Sequence, residues 1–199
     1  MASKLDSLFE GLQDYQGIER IEVYLNRLKE AYKHKESYGD SDERHWISTI
    51  GPHLSVVAHS TAPSEHPCVT FRFTPQPLHS NAVNGVHGGC TATLFDGKWD
   101  SKLSSPFTAS SLLLVSRPGF WRYFGVSRTL NVTYLRPMPI GEPVDVECEI
   151  VQVGKRLAVV RAVARAAAAA ARPGEKKGPV LAICEHGKVN SDPPVSGKL

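Results

Sequence analysis

The spacing of apolar residues along this chain of 199 residues changes near residue 45. From residue 4 to residue 36, apolar residues recur at steps of three and four between charged positions, a pattern typical of amphipathic helix. Gly17 interrupts the pattern and predicts two helices rather than one. We expect residues 1–45 to form accessory helices that pack on the main domain, with binding of a partner as the alternative.

Strand signals dominate the rest of the chain, where β-branched and apolar residues alternate with polar ones. Six strands are predicted, at residues 53–59, 68–74, 126–135, 144–153, 157–165 and 180–188. The run of six alanines at 166–171 favours helix over strand, so we expect a long hairpin loop there. The polar segment 191–199 is expected to be a flexible tail.

One segment between these strands has a different character. Residues 81–97, NAVNGVHGGCTATLFDG, begin as a polar loop and continue with small and apolar residues, which predicts a buried helix over 88–96. Six strands and one buried helix indicate an α+β fold, with a curved six-stranded antiparallel sheet wrapped around one long central helix. This domain would span residues 46–190, and residues 97–124 would be an insertion after the helix.

The start of this helix has the features of an oxyanion site. The first N–H groups of a helix have no partner inside it, and the helix dipole places partial positive charge there. Gly88 and Gly89 let another group approach that backbone closely, so a carbonyl oxygen could gain negative charge against it. Asn81, in the preceding loop, could add its side-chain amide. The alternative is that the glycines only relieve crowding where the helix enters the sheet.

Asp96 is an acid inside an apolar helix, where a carboxylate without partners is costly. His87 and Asp96 are nine residues apart, which is roughly 13 Å along the axis and about half a turn out of phase. They cannot meet within one chain. Two antiparallel helices across a two-fold interface would bring each Asp96 towards the Gly88 end of the other chain. The alternative is that Asp96 is a structural acid that forms hydrogen bonds to neighbouring strands.

Composition narrows the possible functions. The hydrophobic share of 41% and charged share of 22% are those of a soluble globular protein. With 23 basic and 20 acidic residues, the net charge of +3 is too small to favour nucleic acid as a partner. The four cysteines form no CxxC pair, so no zinc site is expected, and disulfides are not expected because nothing in the sequence indicates secretion. No apolar run is long enough to span a membrane, and the N-terminus shows no targeting pattern. We therefore expect an intracellular protein, cytoplasmic, with mitochondrial and peroxisomal locations as alternatives.

Three stretches, residues 81–89, 91–96 and 125–137, resemble the hotdog-fold acyl-CoA thioesterases, in particular the phenylacetate-pathway and thioesterase-superfamily-member type. The resemblance covers about residues 50–190. It implies a sheet wrapped around a helix, an acyl-CoA substrate, no cofactor and an active site between subunits. It also implies a homodimer or a dimer-of-dimers tetramer, and a role in lipid metabolism.

The resemblance further implies roles for five residues. The Gly88 N–H would bind the thioester oxygen, and Asn81 would help to polarise it. Asp96 of the opposing chain would be the general base or the nucleophile. Ser127 would hold the attacking water, and His87 would orient the loop without carrying a proton.

The phosphates of coenzyme A need cations near the mouth of the pocket. Candidate substrate-binding residues are Gly89, Arg128, Arg136, Lys155, Arg156 and Lys188. Each of the basic residues could equally be an ordinary solvated surface charge.

Two departures from compact relatives of this family stand out. The 97–124 segment is long, and its end contains four closely spaced aromatic residues, Phe120, Trp121, Tyr123 and Phe124. They could fill the core or an interface, or form a wall or lid of the acyl pocket. The N-terminal helices could also cap the pocket.

The expected activity is hydrolysis of a fatty or aryl acyl-CoA to the free acid and coenzyme A. A hotdog enoyl-CoA hydratase or dehydratase is one alternative, and it would need a histidine and an acid for proton transfer at carbon. The sequence shows no such pair within reach in one chain. A non-catalytic acyl-CoA-binding protein is the other alternative, and the presence of Asp96 argues against it.

Overall fold

The computed structural model describes residues 9–33, 49–62, 65–96, 107–167 and 177–192. The start of the predicted N-terminal helices, the first part of the 97–124 insertion, most of the alanine-rich hairpin loop and most of the predicted tail lie outside these ranges.

Six strands form one antiparallel sheet, as the alternation predicts. They are β1 Leu54–Ser60, β2 Cys68–Phe73, β3 Val126–Tyr134, β4 Val144–Val153, β5 Leu157–Ala166 and β6 Val180–Val189. Each end lies within one residue of its predicted position. The strand order is β1-β2-β4-β5-β6-β3, so that β1 and β3 are the edges. The chain therefore brings β3 back to pair with β6, the last strand of the described residues.

Two helices lie one after the other against this sheet. The central helix α2, Gly88–Asp96, buries Cys90, Thr91, Leu94 and Phe95. A short helix α3, Phe107–Ser111, lies within the 97–124 insertion and is buried along its whole length. It packs against α2 and against β2, β4 and β5, so this part of the insertion belongs to the core.

The N-terminal helix α1, Gly17–Lys33, packs on the domain through one face. Ile21, Tyr24, Leu25 and Leu28 are buried at the spacing of helical turns. The second helix predicted before Gly17 lies mostly outside the described residues, of which Phe9 is helical, and a 3₁₀ turn, Leu12–Asp14, follows. The two glycines on either side of that turn both have positive φ, which ends a helix.

The aromatic residues at the end of the insertion join α1 to the domain. The Phe124 ring lies 5.0 Å from the Tyr24 ring and 5.1 Å from the Phe9 ring, between ring centres. Trp121 is buried, and its Nε1 donates a hydrogen bond of 2.7 Å to the Gly154 carbonyl. Buried Arg20 of α1 donates to the Leu12 and Ser116 carbonyls. These contacts fit the core-filling role and hold the N-terminal layer in place.

Three general features bear on function. Among the residues that the structure describes, no helix is long and apolar enough to cross a membrane. Within the same ranges, no cluster of three His, Cys, Asp or Glu side chains could hold a metal ion. The cysteines Cys68, Cys90, Cys148 and Cys184 are all free thiols.

Candidate active site

The loop before α2 is held in shape by Asn81. Its side-chain oxygen accepts hydrogen bonds from the Val83 N–H at 3.0 Å and the Gly85 N–H at 3.1 Å, as in an Asx turn. Its own N–H donates to the Gly85 carbonyl at 2.8 Å. The side-chain oxygen is therefore used by the fold, and the Nδ2 amide is the part of Asn81 that can reach a ligand.

His87 caps the start of α2. Its Nδ1 accepts a hydrogen bond of 3.0 Å from the Gly89 N–H, and its own N–H donates to the His79 carbonyl at 2.8 Å. His79 is fully buried, and burial lowers its pKa to about 4. Since the cap occupies the Gly89 N–H, Gly88 is the glycine whose N–H can point towards a ligand.

Among the described residues, no contact requires a glycine at position 88. A Cβ added to Gly88 would meet the Tyr134 ring at 3.7 Å, an ordinary van der Waals contact. The Tyr134 hydroxyl donates to the Gly88 carbonyl at 2.9 Å. Relief of crowding therefore does not explain Gly88, whereas close approach of a ligand or of a second chain would explain it.

Asp96 is the last described residue of α2. Of its side-chain surface, 21% is exposed. Its Oδ1 accepts a hydrogen bond of 2.5 Å from the Ser127 hydroxyl. The helix keeps Gly88 and Asp96 at opposite ends, roughly 12 Å apart at ~1.5 Å per residue. One chain cannot bring both to a single carbonyl group.

A β-bulge turns Ser127 towards Asp96. The pairing of β3 with β6 shifts register between Ser127 and Thr129, which leaves Arg128 as the extra residue. Leu130 packs against the core, so strict alternation from Leu130 would turn Ser127 to the other face. The bulge reverses that alternation and places the Ser127 hydroxyl on the inner face of the sheet.

His186 completes this cluster, and sequence reasoning missed it. It is fully buried on β6, and its Nε2 lies 2.9 Å from the Ser127 hydroxyl and 3.4 Å from Asp96 Oδ1. Its Nδ1 lies 2.6 Å from the Thr108 hydroxyl of α3, which donates to the Phe95 carbonyl at 2.5 Å. Since a carbonyl only accepts, the single Thr108 proton goes to Phe95, and His186 Nδ1–H donates to Thr108. This fixes the tautomer of the imidazole.

Lys188 lies in the same cluster and is not a surface charge. It is 3% exposed, and its Nζ lies 3.5 Å from the Ser127 hydroxyl oxygen. Burial first, and then the charge of Lys188, lower the pKa of His186 to about 4, while Asp96 acts in the opposite direction. His186 is therefore a neutral imidazole near pH 7. A contact of Lys188 with the phosphates of coenzyme A stays a prediction.

The other basic candidates are on the surface. Arg128, Lys155 and Arg156 are exposed, and exposed Arg136 donates to the Val180 carbonyl at 2.8 Å. Their contact with a phosphate group stays a prediction, as do the substrate-binding role of Gly89 and the roles assigned to Asn81, His87, Gly88, Asp96 and Ser127.

Comparison with solved structures identifies the fold. The zebrafish thioesterase superfamily member 2 superposes with a TM-score of 0.54 at 21% identity, over 83% of this chain and 96% of that protein. The PaaI protein of the Escherichia coli phenylacetic acid degradation operon gives 0.51 at 11% identity, over 84% and 98%. The chain therefore has the α+β hotdog fold, as its sequence predicts.

Sequence comparison agrees with the fold. The model of the thioesterase superfamily matches residues 108–181, a range that contains Thr108 and Ser127 but not Asp96 or His186. Human acyl-coenzyme A thioesterase 13 is 34% identical over 80 residues, which is 40% of this chain and 48% of the human protein. The mouse protein of that name gives the same identity and coverage. The chain spans about half the length of the curated relatives it matches. The predicted resemblance is confirmed.

Proposed function

We propose that this protein is a thioester hydrolase that converts an acyl-CoA to the free acid and coenzyme A. The observation that carries the proposal is the partly exposed Asp96 carboxylate, which is bonded to Ser127 on a hotdog helix whose other end carries the open Gly88. The acyl-coenzyme A thioesterase name of the 34% identical relatives supports this choice of substrate.

In the proposed reaction, Asp96 is the general base. The oxygen of a water molecule bonds to the thioester carbonyl carbon while Asp96 takes one of its protons. The Gly88 N–H and Asn81 Nδ2 stabilise the negative charge that develops on the carbonyl oxygen. The carbon–sulfur bond then breaks, and the leaving thiolate takes up the proton that Asp96 received. No net proton or electron is needed from another molecule.

The hydrogen bonds around Asp96 favour a base over a nucleophile. Ser127 has one hydroxyl proton, yet its oxygen lies near two acceptors, Asp96 Oδ1 at 2.5 Å and the unprotonated His186 Nε2 at 2.9 Å. The resting cluster therefore has two hydrogen-bond positions around Ser127 but a single proton to fill them. A proton taken from water completes it, since Asp96 then donates to Ser127 and Ser127 donates to His186. The cluster has a place for the proton that hydrolysis releases.

The sequence argument against a hydratase, that one chain holds no histidine–acid pair, is wrong. His186 Nε2 lies 3.4 Å from Asp96 Oδ1 in the same chain. However, His186 is fully buried and both of its ring nitrogens face hydroxyl groups of the protein. It cannot reach a carbon atom of a substrate, so hydrolysis remains the function that the site supports best.

A panel of acyl-CoA thioesters tests this proposal. We expect the protein to release free thiol from at least one short-chain, long-chain or aryl acyl-CoA, and the panel also shows which class it prefers. Loss of enoyl-CoA absorbance without thiol release would instead indicate a hydratase. Tight binding without either reaction would indicate an acyl-CoA-binding protein.

The site we propose is shared between two chains, and the edge strand β3 supports this. Ser127, near the start of β3, lies beside Asp96, while Tyr134, at its end, lies beside Gly88. An edge strand has backbone groups free to pair. Antiparallel pairing of β3 with the same strand of a second copy, about the middle of the strand, would bring Asp96 of one chain to the Gly88 end of the other.

Mixed dimers test the shared site. Asn81→Asp removes the Nδ2 donor but keeps the side-chain oxygen that the loop needs. When Asn81→Asp chains are co-expressed with Asp96→Asn chains, each mixed dimer would have one intact site and one doubly altered site. We expect thiol release to recover to about a quarter of the wild-type rate with random pairing. Each variant alone serves as the control. No recovery in purified mixed dimers would place the whole site within one chain.

A further inference from the structure

We propose that Lys188 is a positioning residue that adds to burial in keeping His186 uncharged, so that the Asp96–Ser127–His186 cluster can accept the proton of the attacking water at lower pH. The inference rests on the proposed hydrolysis, but its electrostatic part can be measured without activity. It gives Lys188 a function inside the site, in place of the expected contact with coenzyme A phosphates.

The strand geometry brings Lys188 and His186 to the same hydroxyl group. They are two residues apart on β6, so both side chains point to the same face. Lys188 is directly opposite Ser127 in the pairing of β6 with β3. Both Lys188 Nζ and His186 Nε2 lie within 3.5 Å of the Ser127 oxygen. The charge of Lys188 therefore acts at short range on both Ser127 and His186.

The charges that face His186 come from few groups. Asp96 of α2 and Lys188 of its own strand are the charged residues among the described neighbours. Thr108 of α3 and Ser127 of β3 are hydroxyl groups, and the residues opposite on β3 and β5 are apolar Leu130 and Val160. The Cys184 thiol stays neutral, because burial and then Asp96 raise its pKa to about 12.

A positive charge on His186 would fill the proton position that is vacant in the resting cluster. Its Nε2–H would then donate to Ser127, and Ser127 would donate to Asp96 Oδ1, so that both hydrogen-bond positions inside the cluster are occupied and the proton of water could go only to an Asp96 oxygen without being passed on to Ser127. The ammonium of Lys188 opposes this second positive charge, because like charges close together in a buried site disfavour each other. Lys188 therefore adds to burial in keeping this proton position vacant, and it extends general-base catalysis to lower pH.

The primary experiment is an NMR titration of the His186 ring. In Lys188→Met, which fills a similar volume without charge, we expect the pKa of His186 to rise by about one to two. Lys188→Arg keeps the charge and should restore a value near that of the wild type. Lys177→Met, which removes an exposed lysine paired with Glu147 outside the site, is the matched control and should leave the pKa of His186 unchanged. If Lys188→Met does not fold, Lys188→Gln serves the same test.

The pH dependence of kcat supplies the functional readout. Protonation of His186 should inhibit hydrolysis, so the acid limb of the profile should move to higher pH in Lys188→Met by the same amount as the pKa of His186. Lys188→Arg should move it back.

Two results would overturn the inference. One is an unchanged pKa of His186 in folded Lys188→Met. The other is a higher KM for acyl-CoA with an unchanged pH profile, which would return Lys188 to the phosphate-binding role. The titration remains decisive even if the protein proves not to hydrolyse thioesters, so the two failures can be told apart.

Discussion

Replacing Asp96 with asparagine is expected to lower kcat for thioester hydrolysis by about a thousandfold, within the range that a positioned general base usually contributes. The amide has nearly the same shape, and its oxygen can still accept the hydrogen bond from Ser127. It cannot, however, take a proton from water at neutral pH. The loss should therefore fall on kcat, while KM should change by no more than a few-fold.

Single-turnover thiol release and a separate binding measurement check this result. Asp145→Asn is the matched control, because Asp145 is a half-buried aspartate whose partner, the Arg72 guanidinium at 2.7 Å, lies outside the site. Its kcat should stay near the wild-type value. An Asp96→Asn enzyme that kept more than about a tenth of the wild-type kcat would show that another group activates the water.

The second large effect concerns stability and arises at Gly125, two residues before Ser127. Gly125 has a φ of +63°, and an added Cβ would lie 2.3 Å from the Val189 carbonyl oxygen and 2.7 Å from the Trp121 ring. Gly125→Ala therefore combines backbone strain with a steric clash that only movement of β3 or β6 could relieve. We expect the free energy of unfolding to fall by about 3 to 5 kcal/mol.

A comparison of urea unfolding between Gly125→Ala and Gly141→Ala separates the backbone strain from the steric clash. Gly141 has a φ of +79°, but an added Cβ would meet nothing within 4 Å. Gly141→Ala should lose only the backbone contribution, on the order of 1 kcal/mol. An equal loss of unfolding free energy in the two variants would mean that the structure around Gly125 can shift to accommodate a Cβ. The bulge and the position of Ser127 would then be less constrained than the contacts indicate.

The fold could be predicted from local patterns. The alternation of apolar and polar residues predicted every strand end to within one residue of its position in the structure. It does so because one face of each strand packs inwards, and the residues on that face are apolar. The short stretch between Gly11 and Gly17 was harder to predict, because both glycines adopt positive φ and the residues between them include a 3₁₀ turn, Leu12–Asp14. Apolar spacing alone does not report that backbone constraint.

The candidate site could be predicted only in part. Gly88, His87 and Asp96 stand out in the sequence because they are unusual at the ends of an apolar helix. His186 did not, although the inward pattern of β6 places a polar residue in the core and could have drawn attention to it. Thr108 gave no signal, because its importance comes from contacts with Phe95 and His186, which are distant in sequence.

The sequence by itself determined the α+β class, the strand positions and the separation of Gly88 from Asp96, since each follows from the fixed repeat of a helix or a strand. Only the tertiary structure decided the composition of the Asp96 cluster. A bulge at Arg128 reverses the facing of Ser127, and the pairing of β3 with β6 brings Lys188 opposite it. Those outcomes depend on register between distant segments, and a shift of one residue moves a side chain to the other face of the sheet.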